Sequence, residues 1–331
     1  MNRAILLFYG FTLAVFFSLY TPALSADAEI DATRGPGTYQ DSVLNLDANI
    51  TKEVNFGLGF EQATSSNSAS LDPVKIYTGT LTVKSPEHYT FGLSGTDSPE
   101  QNDAKSAGWG VSAAYDSAEG QNWGGLDKGT AEDTAAGLAG ENDKEPGNFT
   151  WGCSLSYDMD VMSELIDYNT YQKRLTKRGK VVYTAVNHSD WYSLKQSHVD
   201  PGVSFSLFQA VDLELGYSKY SYDRDVAVFS QRLAKLSALK IEKSANFGNT
   251  TALIDGFPDR ISSAGIAVNP WDCLKVEFDW SRTIYVLAQP EEDSSTLNVY
   301  YNILSFLQVK AGYNVLSTGA VYTTAGIKWL W

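Results

Sequence analysis

The chain lacks several features on which common folds and sites depend. After residue 20 no uninterrupted apolar run approaches 18 residues, which excludes a membrane protein built from several spanning helices. Only two cysteines and three histidines are present, and no spacing typical of a metal or catalytic site joins them. We therefore expect no catalytic residue, no metal and no cofactor.

Basic residues are also scarce. Lysine and arginine total 25 against 39 aspartates and glutamates, which gives a formal net charge of −14. Binding to phosphates requires a basic face. The composition therefore predicts no nucleic-acid partner.

The first 26 residues have the three-part layout of a secretory signal peptide. Arg3 precedes an apolar run over residues 4–20, and the small-residue stretch at residues 23–26 follows it. The alternative is a single anchoring helix, because about 20 apolar residues can span a bilayer. We expect residues 1–26 to be a signal peptide.

Apolar residues alternate with small or polar ones through most of the remaining chain. The stretch from Val54 reads VNFGLGFE, which places Val54, Phe56, Leu58 and Phe60 on one face of a strand. The same period recurs in residues 77–83, 89–93, 109–115, 149–157, 203–207, 213–217, 274–280, 297–303, 307–313 and 321–331. An exported protein that enters a membrane in this form must do so as strands.

The connections between these segments favour a barrel over a soluble sandwich. Short links at residues 51–53, 85–87, 209–210 and 269–272 alternate with long polar ones at 62–74, 96–107 and 128–147. Outer-membrane barrels have tight turns at one end and long loops at the other. We expect every long loop to lie at the end opposite the C-terminus.

The sequence TTAGIKWLW at the C-terminus continues the alternation through Ile327, Trp329 and Trp331. It resembles the terminal strand of Gram-negative outer-membrane β-barrel proteins of the porin-like superfamily. That resemblance implies that these three residues signal to the barrel-assembly machinery and that the strand closes the barrel against the first strand. It also implies outer-membrane lipid and lipopolysaccharide as surroundings, and leaves a homo-oligomer open.

We therefore predict an all-β fold, a transmembrane antiparallel up-and-down barrel of about 16 strands, with 14 to 18 as the range. Residues 27–40 make a poor first strand, and the barrel is assigned to residues 41–331. Residues 174–200 hold one long loop or an extra hairpin. Helical spacing predicts a short helix in a long extracellular loop, where it constricts the pore or lies over the rim; the apolar positions are Val226, Phe229, Leu233, Leu236 and Leu239.

Charged residues on the opposite face of the strands define the expected lumen. A dry core could not hold so many charges, because unpaired buried ions cost several kcal/mol each. Lys310 and Lys328 lie near the same end of adjacent strands, which argues against pairing of their charges with each other. The predicted pore-lining residues are Glu61, Lys84, Glu214, Lys275, Glu277, Asp279, Lys310 and Lys328.

Enzymatic activity has little support. Residues 188–190 read His-Ser-Asp, but adjacent residues of a strand point to opposite faces, so they cannot form a triad within one strand. Cys153 falls on the expected lipid face, and Cys273 falls at a turn or on the opposite face, so a disulfide between them requires a different register.

The sequence therefore predicts an outer-membrane channel for passive diffusion of small hydrophilic solutes or ions. Two alternatives stay open. The first is a transporter of hydrophobic compounds, like the long-chain fatty-acid transporter family; an apolar lumen would favour it. The second is a structural barrel that anchors a partner; a lumen that is plugged and does not conduct would favour it.

Overall fold

The computed structural model contains one closed antiparallel β-barrel. It describes residues 25–37, 39–64, 74–85, 88–101, 103–117, 149–175, 181–208, 210–229, 257–287 and 290–330. The predicted signal peptide lies, apart from its last two residues, outside these ranges and stays a prediction. Among the described residues, no helix is long and apolar enough to cross a bilayer.

Fourteen strands form the barrel, each paired with its neighbours in sequence, and β1 pairs with β14 to close it. The predicted number was about 16. The strands are β1 Ala26–Arg34, β2 Gln40–Asn49, β3 Val54–Thr64, β4 Val74–Lys84, β5 Tyr89–Gln101, β6 Ala104–Asp116, β7 Phe149–Leu175, β8 Val181–Leu207, β9 Val211–Tyr222, β10 Pro258–Trp271, β11 Leu274–Tyr285, β12 Glu292–Leu304, β13 Leu307–Leu316 and β14 Val321–Leu330.

The first strand lies in a segment that the sequence analysis set apart from the barrel. Ala26–Arg34 pairs along its whole length with β2 and over eight residues with β14. Gly35-Pro36-Gly37, which made residues 27–40 look like a poor strand, lies after β1 in the turn that leads to β2. The turn signal was correct, but it marks the end of a strand.

Antiparallel order assigns each connection to one of two ends. We call the end where β1 begins and β14 finishes the lower end, and the opposite one the upper end. Residues 50–53, 85–88, 117–148, 208–210, 272–273 and 305–306 connect strands at the lower end. The predicted long loop at residues 128–147 lies outside the described residues. Because β6 ends and β7 begins at the lower end, the prediction that this loop lies opposite the C-terminus is wrong.

A second predicted long loop, at residues 96–107, is absent. β5 continues to Gln101 and β6 starts at Ala104, so a tight turn replaces the loop. Polar composition misled the prediction here, because Thr96 and Ser98 are polar residues within the paired strand.

Large apolar side chains cover the outer face of the barrel. Phe91, Leu93, Leu155 and Leu215 each have about half of their surface exposed. Aromatic rings also contact each other across strands toward the lower end, as Tyr115 does with its neighbours Tyr89 and Trp151, at 5.3 Å between ring centroids in each case. An apolar band with aromatic rings at its margin is typical of a barrel that faces lipid.

Strands β7 and β8 are 27 residues each, about twice the length of the others. Beyond Glu164 on β7 and before Gln196 on β8, they pair only with each other. We call residues 165–175 and 181–195 the projecting hairpin. At about 3.3 Å per residue it extends roughly 35 Å past the upper rim. Residues 187–190, where the sequence left an extra hairpin open, lie within β8.

Candidate lumen and its inner wall

The eight residues predicted to line the pore all lie at inner positions of their strands, between neighbours that face outward. Their burial differs. Glu61, Glu277, Asp279 and Lys310 are buried, whereas the other four are partly buried: Lys84, Glu214, Lys275 and Lys328.

Glycines on the inner wall lie directly opposite short acidic or amide side chains of the adjacent strand. We call these six cross-strand pairs the acid–glycine pairs, although one of them has asparagine in place of aspartate. They are Asp31 with Gly326, Asp47 with Gly57, Asp158 with Gly110, Asp160 with Gly108, Asp279 with Gly265, and Asn298 with Gly312. Alternation within single strands cannot reveal these pairs, because they depend on the register between strands.

Each of these glycines leaves the space that its partner side chain occupies. A Cβ built on Gly265 would lie 2.7 Å from Asp279 Oδ1, and one on Gly312 would lie 2.6 Å from Asn298 Oδ1. On Gly108 and Gly110 the overlap with Asp160 and Asp158 would be greater still. The acidic groups therefore lie against the wall instead of projecting toward the barrel axis.

Two of these carboxylates reach past the glycine to the next strand. Ser94 of β5 donates to Asp158 Oδ1 at 3.5 Å, and Thr96 of β5 donates to Asp160 Oδ1 at 3.2 Å. Both acids belong to β7, so each contact crosses β6 above a glycine. The result is a polar network that connects three neighbouring strands along the wall.

Lysines neutralise the acidic residues where the barrel closes. Lys310 Nζ lies 2.8 Å from Asp31 Oδ2 and 3.6 Å from Glu29 Oε1, and Lys328 Nζ lies 3.2 Å from Asp27 Oδ2. The three carboxylates belong to β1. Lys310 and Lys328 therefore do not pair with each other, as expected, and each has acidic partners on the strand that the sequence analysis left out of the barrel.

Apolar side chains fill the inner face near the upper end. We call this group the mouth layer. It brings together residues of strands from several parts of the wall with the described ends of the β9–β10 connection: Tyr39, Ala63, Ile76, Ala104, Met162, Leu194, Tyr220, Val226, Phe229, Phe257, Ile261, Leu316 and Tyr322, each at most 9% exposed. An apolar zone thus lies above the polar wall.

The connection between β9 and β10 starts by entering the mouth layer. Val226 and Phe229 are buried against apolar residues of the inner face, and Phe257 is buried at the other end of the connection. The predicted helix is reduced to one 3₁₀ turn at Val226–Val228 in the part that the structure describes. Leu233, Leu236 and Leu239 lie outside that part.

Strand pairing assembles one cluster that sequence spacing did not reveal. His198 of β8 lies opposite Asp158 of β7, and its Nε2 is 3.4 Å from Asp158 Oδ2 and 3.2 Å from Asp200 Oδ2. Its imidazole stacks on Tyr220 at 4.9 Å between ring centroids. The available signal was His198-Val199-Asp200, which places two polar groups on one strand face; the partner on β7 required the register.

The His-Ser-Asp run at residues 188–190 forms no triad. It lies on the projecting hairpin, where His188 Nε2 is 2.7 Å from Thr170 Oγ1 and the Ser189 hydroxyl donates to Asp167. Cys153 and Cys273 are both free, one on the outer face of β7 and the other in the turn before β11.

The C-terminal residues proposed as an assembly signal follow the outer face of β14. Ile327 lies opposite Ile30 and Trp329 opposite Ala28 of β1, and both are exposed. Trp331 lies outside the described residues.

Comparisons with known proteins give a fold likeness. No family model and no curated protein matches the chain. One similar solved structure is the KdgM porin, with 6% identity and a TM-score of 0.40; the match covers 92% of this chain and 98% of that one. A second is the CymD monoaromatic hydrocarbon channel, with 8% identity and a TM-score of 0.45; the match covers 95% of this chain and 90% of that one. A third is OmpTdeltaL8, a loop-deletion mutant of an outer membrane protein of Vibrio cholerae, with 8% identity and a TM-score of 0.37. The match covers 93% of this chain and 98% of that one. At these scores the likeness carries no argument about function.

Proposed function

We propose that the protein is a channel of the Gram-negative outer membrane through which small hydrophilic solutes or ions diffuse. The observation that carries the proposal is the division between the two faces of a closed barrel. The outer face has exposed apolar side chains, and the inner wall has glycines, hydroxyls and charged groups. Lipid outside and water inside are the surroundings that such faces require.

The size of the barrel is consistent with this function. Fourteen strands about 4.8 Å apart and tilted by about 40° give a backbone radius of about 14 Å. The acid–glycine pairs keep acidic side chains against the wall, so these side chains take up little of that width. In this proposal the eight predicted pore-lining residues belong to the wall of an aqueous space. The partly buried Lys84, Glu214, Lys275 and Lys328 border the water, whereas Glu61, Glu277, Asp279 and Lys310 are buried within the wall.

In this proposal the lower end faces the periplasm and the projecting hairpin extends outside the cell among lipopolysaccharide. Trp329 belongs to the strand that the barrel-assembly machinery recognises. The placement follows the common arrangement in which both termini of such barrels are periplasmic.

One observation favours a second candidate, a transporter of hydrophobic compounds. The mouth layer places buried apolar side chains on the inner face of the upper end, which a purely hydrophilic channel does not require. A hydrophobic solute could enter there, but the polar wall below would not bind it.

Liposomes that contain the refolded protein distinguish the two candidates. Swelling in isotonic solutions of sugars of increasing size, at rates that fall with solute size, is the result expected of a hydrophilic channel. Transfer of a fluorescent fatty acid into the liposomes, without swelling in any sugar, would instead support the second candidate. Liposomes with heat-denatured protein provide the control.

A further inference from the structure

The cluster on β7 and β8 combines the ligand types of a metal site. Asp158, His198 and Asp200 each offer one donor atom, and these atoms all lie within 4.8 Å of one another. Imidazole nitrogen with two carboxylate oxygens is a donor set that suits zinc and related divalent transition metals. A purely oxygen-binding cation such as Ca²⁺ would leave the nitrogen unused.

The spacing between donor atoms matches the edge of a coordination tetrahedron. The Nε2 atom of His198 lies 3.4 Å from Asp158 Oδ2 and 3.2 Å from Asp200 Oδ2. With metal–ligand bonds of about 2.1 Å, tetrahedral ligands lie about 3.4 Å apart. Two of the three distances between donor atoms therefore match tetrahedral coordination, and the two carboxylate oxygens lie within 4.8 Å of each other.

Neighbouring groups hold the ligands in these positions. Ser156 donates to Asp200 Oδ2 at 2.9 Å, and Ser94 donates to Asp158 Oδ1 at 3.5 Å. Gly110 provides the space in which Asp158 lies, and Tyr220 stacks on the imidazole. Hydrogen bonds that orient ligands in this way are typical of metal sites.

The charge around the cluster differs from that of the rest of the wall. Near the barrel closure, Lys310 and Lys328 neutralise the acids of β1. On β11, Lys275 Nζ lies 2.7 Å from Glu277 Oε1. Within the ranges that the structure describes, the ion pairs of Asp158 and Asp200 involve His198 and no lysine or arginine. An external cation bound here would therefore compensate the negative charge of Asp158 and Asp200.

We propose that the inner wall binds one divalent cation of the zinc class. His198 Nε2 and one oxygen each from Asp158 and Asp200 are the ligands, and the remaining coordination position is open to the lumen or taken by water. The ion lies directly below the mouth layer, where Leu194 precedes His198 by four residues on the same face of β8. This proposal goes beyond channel activity and does not depend on it.

The test is metal binding by the refolded full chain. Equilibrium dialysis against micromolar Zn²⁺, with metal analysis of the protein, is expected to show one ion per chain. Titration with Co²⁺ is expected to give the strong visible absorption of tetrahedral cobalt. In His198→Gln the affinity for Zn²⁺ is expected to fall by more than about 100-fold. Losing a group that only supports a ligand by a hydrogen bond reduces metal affinity by about 10–100-fold, so a larger loss indicates a direct ligand.

Two variants serve as matched controls. His188→Gln removes a histidine from the projecting hairpin, and Asp279→Asn changes an acid–glycine pair that has no histidine opposite it. Both are expected to bind Zn²⁺ like the unaltered protein. Folding of each variant is checked by its heat-dependent mobility on SDS gels.

Absence of stoichiometric Zn²⁺ in the folded unaltered protein would overturn the proposal and indicate that a protonated His198 pairs with the two acids by itself. Equal binding by His198→Gln would overturn it as well. A barrel that conducts but binds no zinc contradicts the metal site alone, whereas a silent barrel that binds zinc contradicts the channel alone.

Discussion

Single residues on the inner wall are matched across strands, with aspartate or asparagine opposite glycine. Asp160 can lie flat because Gly108 has no side chain, and it then accepts a hydrogen bond from Thr96 on the strand beyond. A buried polar group destabilises the folded protein when it loses its hydrogen-bond partners, so these contacts contribute to the stability of the barrel.

Substituting alanine for Gly108 or Gly110 should therefore destabilise the barrel. The new Cβ would overlap with the carboxylate of Asp160 or Asp158, and relieving such an overlap costs about 1–3 kcal/mol. The measurement is urea-induced unfolding of the refolded protein in lipid vesicles. Gly79→Ala and Gly95→Ala are the controls, since a Cβ at either position meets no atom within 4 Å. Equal stability of all four variants would contradict the role of the acid–glycine pairs.

The buried lysine at the barrel closure leads to a second prediction. Lys310→Met would remove the ammonium group that lies 2.8 Å from Asp31 and 3.6 Å from Glu29, and removing one partner of a buried pair costs about 3–5 kcal/mol. Unfolding by urea measures the loss. The double variant with Asp31→Asn is expected to recover part of it.

Lys219→Met is the control for that experiment, because the Lys219–Asp259 pair is largely exposed. Exposed ion pairs contribute about 0–1 kcal/mol. If Lys310→Met were no more destabilising than Lys219→Met, the closure would not depend on buried ion pairing.

Among the elements, the projecting hairpin differs from the rest because its two strands pair only with each other. No described strand other than its own partner pairs with residues 165–175 or 181–195. Stability of the barrel should therefore not require it, although its base contacts the barrel where Lys105 lies 4.0 Å from the ring of Trp191.

Shortening this hairpin should leave the barrel intact. Deleting residues 168–188 and joining Asp167 to Ser189 by a two-residue Asn-Gly turn preserves the pairing between Ile166 and Asp190. The expected result is refolding with the same heat-dependent shift on SDS gels as the full chain. Failure to refold, in a variant that is expressed at the same level, would show that the hairpin takes part in barrel formation.

The mouth layer is the element most directly connected to conduction. Met162 and Leu194 are opposite each other and fully buried within it. Apolar constrictions oppose the passage of ions by excluding water. Replacing both residues with serine is therefore expected to raise single-channel conductance and the fraction of time spent open.

Leu155→Ala provides the control for this prediction, because it lies on the exposed outer face of β7, the strand that also carries Met162. Its conductance should match that of the unaltered protein. A serine double variant that is folded and has unchanged conductance would show that the mouth layer does not limit ion flow.

For the molecule as a whole, alternation along the sequence predicted the strands, and the connections and the C-terminal resemblance were needed to favour a barrel over a sandwich. Val54 begins β3 as predicted. That the eight charged residues line a pore stays a prediction. Strand length was harder to predict, because polar residues such as Thr96 belong to paired strands and not to loops. The count of 14 differs from 16 partly because β7 and β8 take up a region that was read as a loop or an extra hairpin.

What the sequence could not provide is everything that depends on register between strands. The acid–glycine pairs, the lysines of the closure and the cluster around His198 join residues that are up to 301 positions apart, as Asp27 and Lys328 are. Shifting one strand by a single residue would move every side chain to the other face, but the sequence of that strand alone does not show which partner it faces.

The measurement that tests the central claim most directly is single-channel recording of the refolded protein in a planar lipid bilayer, with ion selectivity from the reversal potential. The account predicts stable current steps and a modest preference for cations, because acidic residues outnumber basic ones in the chain, 39 to 25. Folded protein that inserts without any current would contradict a water-filled lumen, and a clear preference for anions would contradict the charges assigned to its wall.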